Sequence, residues 1–128
     1  MHLLVEFTLL SWIWEGVKSF ISSIANLIKK VIKGFLNFFR DVVDWFKNLK
    51  LKKGKHSPFL IPPDGLKELL KNAPIKSVGI FEENKTGVFK GVYDEDTETI
   101  IHHEVVAADA LDEETTRIIG NEKIVVLS

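Results

Sequence analysis

The chain has 128 residues, of which 45% are hydrophobic and 27% charged, as in a foldable protein with one domain or one small domain plus an appendage. It has no cysteine, which excludes disulfides, thiolate metal ligands and a thiol nucleophile. Residues 1–55 carry ten Lys and Arg against four acids, whereas residues 56–128 carry seven against fourteen. This split indicates either that the basic half meets an anionic surface or that the two halves attract each other.

The first fifty residues are rich in apolar and aromatic side chains that recur every seven positions. Spacings of three and four place such side chains on one face of a helix. The pattern therefore predicts one amphipathic helix over residues 11–50, roughly 60 Å long. Gly34 is the point where we expect a bend, and a break into two helices there is the alternative. The predicted apolar anchoring face comprises Trp14, Val17, Ile21, Ile24, Ile28, Val31, Phe35, Phe38, Phe39, Val42, Trp45 and Phe46. The predicted basic face comprises Lys29, Lys30, Lys33, Arg40 and Lys47.

Residues 51–64 combine a basic run with Gly54, Pro58, Pro62 and Pro63. The prolines forbid a continuing helix, so we interpret this segment as a linker between two parts of the protein. Its lysines suit the phosphates of lipid or nucleic acid. Because no nucleic-acid-binding motif accompanies them, a solvated linker is the preferred interpretation.

Residues 65–128 are acidic and predict a small α+β domain with about four strands and two short helices. Helices are expected at 65–72 and 113–119, and strands at 77–82, 88–93, 98–107 and 123–127. The chain as a whole is therefore predicted to be α+β, with a long N-terminal helix followed by this small domain. The three predicted regions are 1–50, 51–64 and 65–128.

The chemistry-bearing residues do not form a recognisable catalytic pattern. His102 and Glu104 share one face of a predicted strand, which suits a metal or an acid–base pair, but no third ligand has evident spacing. The acidic run at 94–98 lacks the glycine and the distal glutamate of a calcium-binding loop. We therefore expect no enzymatic activity, no cofactor, no metal and no small-molecule substrate.

The amphipathic segment is the strongest functional signal. A lysine-rich face opposite an aromatic face is typical of helices that lie in a membrane interface. In composition the segment is similar to membrane-active bacterial peptides such as phenol-soluble modulins. Charged residues interrupt every window long enough to span a bilayer, so we expect neither a transmembrane span nor a signal peptide.

The sequence thus predicts a non-enzymatic anchoring protein that binds an anionic membrane surface through its first segment and displays an acidic, protein-binding domain. A first alternative is a structural subunit of a large assembly, such as a virion or secretion machine, which self-associates or packs against partner helices. A second alternative is a membrane-disrupting toxin or a holin-like factor. The expected location is peripheral to a membrane or inside an assembly.

Overall fold

The computed structural model describes residues 2–23, 28–71 and 85–127, with side chains described from Leu9 onward. These ranges contain helices and one mixed sheet, and the predicted α+β class is confirmed. The elements are α1 (His2–Ser23), β1 (Lys29–Leu36), the π-helix π1 (Phe38–Val43), α2 (Asp44–Asn48), β2 (His56–Ile61), α3 (Pro63–Lys71), β3 (Thr86–Asp94), β4 (Thr99–Leu111), α4 (Glu113–Ile119) and β5 (Val125–Val126).

One mixed sheet of five strands organises the described residues, in the order β1–β4–β3–β2–β5. Antiparallel ladders join β4 to β3, β3 to β2 and β2 to β5. β1 instead pairs in parallel with the second half of β4, so that Lys29 lies opposite Val105 and Leu36 opposite Leu111. The described sheet therefore has β1 at one edge and the two-residue β5 at the other.

Helices α1 and α3 cover one face of the sheet. Ile13, Val17 and Ile21 recur every four residues along α1 and are at most 2% exposed. They pack with Phe59 and Phe89 of the sheet in a first apolar core, which the leucines of α3 complete. Burial of each such side chain stabilises the fold by about 1.5–3 kcal/mol, so α1 is an integral layer of the protein.

The other face is covered by π1, α2 and α4. Phe38, Val42 and Phe46 also recur every four residues, and they pack with Val88 and Val106 of the sheet in a second apolar core. This row belongs to the apolar face that the sequence predicted for membrane or partner contact. Because it is buried against the protein's own sheet, it presents no free surface.

One charged side chain is enclosed beside this second core. Lys90 is 1% exposed, and its Nζ lies 2.7 Å from Glu104 Oε1 and 2.8 Å from the carbonyl oxygen of Asp41. The ammonium also lies 4.4 Å from the centre of the Trp45 ring, within cation–π range. Burial lowers the pKa of Lys90, although its hydrogen bond and ion pair with Glu104 oppose the shift.

The predicted continuous helix over residues 11–50 is wrong from Lys29 onward, where the chain forms strand β1 and then two short helices. In the last turn of α1, the hydroxyls of Ser22 and Ser23 donate to the carbonyl oxygens of Ser19 and Phe20. Residues 29–36 form a strand because pairing with β4 overrides the local helical spacing. Gly34 has a φ of +94°, and the register of the ladder shifts beside it. It therefore marks a bulge in a strand, and not a bend in a helix.

The predicted linker is also corrected, because its second half forms β2 and begins α3. Residues 59–61 are fully buried near the middle of the sheet. Pro58 is tolerated within the strand because its backbone faces β5, where its carbonyl accepts a hydrogen bond from the Leu127 N–H at 2.8 Å. The missing N–H thus lies where the ladder ends. Consequently, all three predicted regions contribute to one sheet.

The elements predicted in the acidic region agree more closely with the structure. Helix α4 has the predicted bounds, begins after Asp112 and ends before Gly120, which has a φ of +53°. The Asp112 carboxylate accepts hydrogen bonds from the Thr115 N–H and from the Phe38 N–H, so it caps α4 and fixes the start of π1. Predicted elements at 65–72, 88–93, 98–107 and 123–127 correspond to α3, β3, β4 and β5, whereas the predicted strand at 77–82 lies outside the described residues.

Candidate binding surface on strand β1

Exposed apolar side chains cluster on and beside the edge strand β1. Ile28, Val31, Phe35 and Phe39 are each 56–64% exposed. Large apolar residues of this kind are usually buried. Four exposed ones within a short stretch are typical of a surface that binds a partner or a membrane. We refer to these four residues, together with Lys29, Lys30, Lys33 and Arg40, as the β1 surface.

Hydrogen bonds attach β1 to the sheet at both ends. Just before the strand, the Ile28 carbonyl accepts from the Val105 N–H at 2.8 Å, and the Ile28 N–H donates to His103 Nε2 at 3.0 Å. At the other end, the Leu36 carbonyl accepts from the Asp112 N–H at 3.0 Å, and the Leu36 side chain is fully buried. The strand is therefore a fixed part of the fold, and its exposed side chains are held in place.

His103 is the side chain that supports the start of β1. Its ring stacks on Phe89 at 5.9 Å between centroids and meets the Phe20 ring edge-on at 4.8 Å. Burial lowers the pKa of His103, despite the opposing charge of Glu104. A neutral ring is also what the hydrogen bond from Ile28 requires, because Nε2 must carry a lone pair to accept it.

On the outer side of β1, backbone groups have no partner among the strands that the structure describes. In a parallel ladder, alternate residues bond to the neighbouring strand and the residues between them turn their N–H and C=O groups away. Since Ile28 bonds to β4, the alternation turns the backbone groups of Lys29, Val31 and Lys33 outward. Among the described strands, none pairs with this side of β1.

Two features of this edge act against uncontrolled strand pairing. Lysines on an edge repel a second copy of the same edge, and a bulge twists the edge away from a partner. The bulge at Gly34 is fixed by a 2.7 Å hydrogen bond from its N–H to the Asp109 carboxylate. Lys85 also binds that carboxylate, and with the Gly34 N–H it lowers the pKa of Asp109.

The corner between β1 and π1 displays Phe39. Asn37 caps π1 by accepting from the Arg40 N–H at 2.9 Å, and the Asn37 N–H donates to the Asp41 carboxylate at 2.7 Å. Burial alone would raise the pKa of Asp41, but hydrogen bonds from Arg40 and Asn37 outweigh it and lower the pKa. The Phe39 ring rests edge-on against Phe38 at 5.5 Å between centroids, so a buried ring supports an exposed one.

The three lysines of β1 have no acidic partner within ion-pair distance in the described ranges. Ion pairs elsewhere engage other basic residues of the first half, for example Lys55 with Asp96 and Arg40 with Asp41. Lys29, Lys30 and Lys33 take part in none of them. The β1 surface therefore carries an excess of positive charge directly beside exposed apolar side chains.

The structure distributes the predicted apolar face over three environments. Trp14 and Trp45 are partly buried against the first and second core, and Ile24 lies outside the described residues. The buried members are Val17, Ile21, Phe38, Val42 and Phe46, and the exposed members are Ile28, Val31, Phe35 and Phe39. All five members of the predicted basic face are exposed: Lys29, Lys30 and Lys33 on β1, Arg40 on π1 and Lys47 on α2.

His102 and Glu104 do lie on one face of β4, as their alternation predicts. Their partners across the ladder are Val92 and Lys90, and Glu104 is engaged by the Lys90 ammonium. His103 points to the opposite face, where it contacts aromatic rings. Within residues 2–23, 28–71 and 85–127, no three His, Asp or Glu side chains are grouped so that they could hold a metal ion.

None of the helices in the described part of the chain is sufficiently long and apolar to cross a bilayer. No protein-family model, curated protein or solved structure matches the chain.

Proposed function

We propose that the protein is a non-enzymatic anchoring protein that docks on an anionic membrane surface through the β1 surface. The observation that supports this proposal is that exposed apolar side chains lie beside three lysines which form no ion pair with any described acidic residue. The sequence analysis expected the membrane contact on a long helix. In this proposal the contact lies on strand β1 and on the corner between β1 and π1.

The apolar side chains supply affinity in this proposal. Phe35 is 64% exposed and Phe39 is 59% exposed, so both rings are available to enter the boundary between headgroups and acyl chains. Burying one such ring contributes about 1.5–3 kcal/mol when it is complete. Ile28, just before the strand, and Val31, within it, add further exposed apolar area at this edge.

The lysines supply attraction and orientation. Each Lys or Arg close to an anionic bilayer contributes about 1 kcal/mol, and the effect decays within a Debye length. Lys29, Lys30 and Lys33 project from an edge, so they can approach headgroups without displacing another part of the described fold. The acidic turn that joins β3 to β4 carries Glu95, Asp96 and Glu98, and it would face away from such a membrane because of its charge.

Vesicle co-sedimentation of the full chain tests this function. We expect binding to vesicles with anionic lipid, weak binding to neutral vesicles, and loss of binding at high salt. Lys29→Glu with Lys33→Glu should lower the binding constant by about 30-fold or more, because about 1 kcal/mol is lost for each lysine. Lys52→Glu with Lys53→Glu is the matched control, since these lysines are also exposed but lie outside the β1 surface.

The apolar contribution has its own matched pair of variants. Phe35→Ser should weaken binding by about tenfold through the loss of ring burial. Trp12 is 53% exposed on α1, so Trp12→Ser removes an exposed aromatic side chain elsewhere and should have little effect. Equal losses from both variants, or binding that ignores lipid charge, would mean that the β1 surface is not a specific membrane contact. Dye leakage from the same vesicles would instead indicate a membrane-disrupting factor.

We propose, as a second candidate, assembly into a larger structure through strand pairing at β1. Its support is the row of outward backbone groups at Lys29, Val31 and Lys33, which suits an added strand from a partner chain. Val31→Pro separates the two functions, because proline removes an outward N–H without removing a bond to β4. Under the membrane proposal this variant still binds vesicles. Under the assembly proposal it converts an oligomer, measured by light scattering, into a smaller species.

A further inference from the structure

An open apolar groove lies on the side of the sheet that is covered by π1, α2 and α4. Its volume is about 710 Å³, which is within the range of small-molecule sites. The walls are apolar and come from α2, the loop that follows it, α4 and the C-terminal strand, including Phe46, Leu51, Ile118, Val126 and Leu127. We call this cavity the α2 groove.

Two lysines are the charged residues that line the α2 groove. Lys47 lies on α2 and Lys50 directly after it, and the described lining contains no acidic residue. Neither lysine takes part in any of the ion pairs found among the described residues. The groove thus combines an apolar interior with two positive charges, and this combination is complementary to an anionic amphiphile.

The backbone of Lys50 is held in an unusual conformation. Its φ is +52°, a left-handed value that glycine normally supplies where a helix ends. The Leu49 and Lys50 N–H groups donate back to carbonyls of Phe46 and Lys47 at 3.1 and 3.3 Å, so the turn is fixed by hydrogen bonds. The backbone of Lys50 is therefore held in a defined position beside the groove.

The apolar floor continues beyond the α2 groove. A neighbouring cavity of about 560 Å³ shares Leu51, Pro58, Val126 and Leu127 with it. Lys52, Lys53, His56 and Glu95 also line this second cavity, so only the first cavity is lined by charges of a single sign. The two cavities together provide a longer apolar path than a compact ligand needs, whereas an extended hydrocarbon chain would use its whole length.

We propose that the α2 groove binds a single-chain amphiphile with an anionic headgroup, of the fatty-acid class. The hydrocarbon chain lies over Leu51, Val126 and Leu127, and the carboxylate lies near Lys47 and Lys50. This site is separate from the β1 surface and does not rest on the proposed membrane anchoring. It assigns the protein a second ligand, taken up as a free monomer.

Calorimetric titration of the full chain with oleate, below the concentration at which oleate aggregates, tests the site. We expect one oleate bound per chain, at least about tenfold weaker binding of the alcohol with the same chain, and no binding of an alkyltrimethylammonium ion. Lys47→Glu with Lys50→Glu should weaken oleate binding at least about tenfold. Both side chains are exposed, so the variant should fold, which circular dichroism checks.

Lys29→Glu with Lys33→Glu is the matched control, because it reverses two charges on the β1 surface and should leave oleate binding unchanged. Amide resonances of Leu51, Val126 and Leu127 should shift on addition of oleate. The proposal is overturned if oleate, the alcohol and the cationic amphiphile bind equally, or if the Lys47 and Lys50 variant binds oleate as the wild type does. Shifts centred on β1 would likewise overturn it, since they would place the ligand on the other surface.

Discussion

Replacing Lys90 by Met measures what the enclosed ion pair contributes to stability. The substitution keeps an unbranched side chain but removes the charge that lies 2.7 Å from Glu104 Oε1 and the donor that lies 2.8 Å from the Asp41 carbonyl. Stranding one partner of a buried ion pair costs about 3–5 kcal/mol. Glu104 Oε1 is itself buried, but the side chain as a whole is 19% exposed. We therefore expect a loss of about 2–3 kcal/mol, below the fully buried range.

The double variant Lys90→Met with Glu104→Met separates the ion pair from the packing. With neither charge present, no buried group lacks its partner, and we expect stability within about 1 kcal/mol of the wild type. Urea unfolding of the wild type, the two single variants and the double variant gives a coupling energy, which is the sum of the two single losses minus the loss of the double variant. Glu104→Met leaves the more deeply buried Lys90 ammonium unpaired and should cost at least as much as Lys90→Met, so we expect a coupling energy of about 3 kcal/mol or more. Lys85→Met is the matched control, because it breaks an ion pair whose Asp109 partner is 53% exposed and should cost less than about 1 kcal/mol.

A double variant as unstable as Lys90→Met alone would refute this reasoning. The loss would then come from the shape of the cavity around Trp45, and not from an unpaired carboxylate. A change in the slope of the unfolding curve would show that the variant alters the unfolded state or the cooperativity of unfolding.

Four further predictions concern single residues. Because burial lowers the pKa of His103 from 6.5, its full contribution to stability is present above that pH, and it is lost as the pH falls through the folded-state pKa. Urea unfolding between pH 7 and pH 5 should show this loss, and His103→Gln should reduce it. Asp112→Ala removes the cap of α4 and a bond to Phe38, and should cost about 1–2 kcal/mol in the same assay. Lys50→Gly should raise the free energy of unfolding by about 0.5–1 kcal/mol, because glycine adopts positive φ without strain, while it weakens oleate binding. Gly91→Ala places a Cβ closer to the Phe59 ring than van der Waals contact allows and should lower the melting temperature, with a cost of about 1–3 kcal/mol.

The elements that the sequence predicts correctly are those with local signals. Asp112 and Gly120 mark the two ends of α4 through hydrogen bonding and backbone conformation. The turn between β3 and β4 is equally local, since Asp94 Oδ1 accepts from the Asp96 and Thr97 N–H groups at 2.9 and 3.2 Å. Such features need only neighbours along the chain, so a single sequence is enough to find them.

Strand β1 was missed because its partner lies far along the chain. The apolar repeat of seven residues fits one continuous helix. It fits equally well the succession that the structure shows, which is a helix, then a strand, then a second helical segment. The adjacent β-branched residues Val31 and Ile32, followed by Gly34, were the available signal for a strand. The register with Val105 is a tertiary contact, and no local pattern reveals it.

For the same reason, the sequence could name the residues of the candidate surface but not their exposure. Val42 and Phe39 both belong to the predicted apolar face, yet Val42 is fully buried and Phe39 is 59% exposed. The difference arises because π1 and α2 pack one side on the sheet, and this sheet includes strands from every predicted region. A prediction that treats the first fifty residues as a separate unit cannot find that division.

The parallel pairing of β1 with β4 also has a consequence for folding kinetics. Lys29 and Val105 are more than seventy positions apart, whereas β3 and β4 are joined by a short turn. Closing the larger loop carries a greater entropic cost, so the β3–β4 hairpin should form early and β1 should join the sheet late. During synthesis β1 leaves the ribosome before its partner exists, and its lysines would discourage aggregation in that interval. Among the described strands, β1 is hydrogen-bonded on one side only, so its amides should exchange with solvent sooner than those of β3. The strand that carries the proposed membrane contact would thus complete folding last and open first.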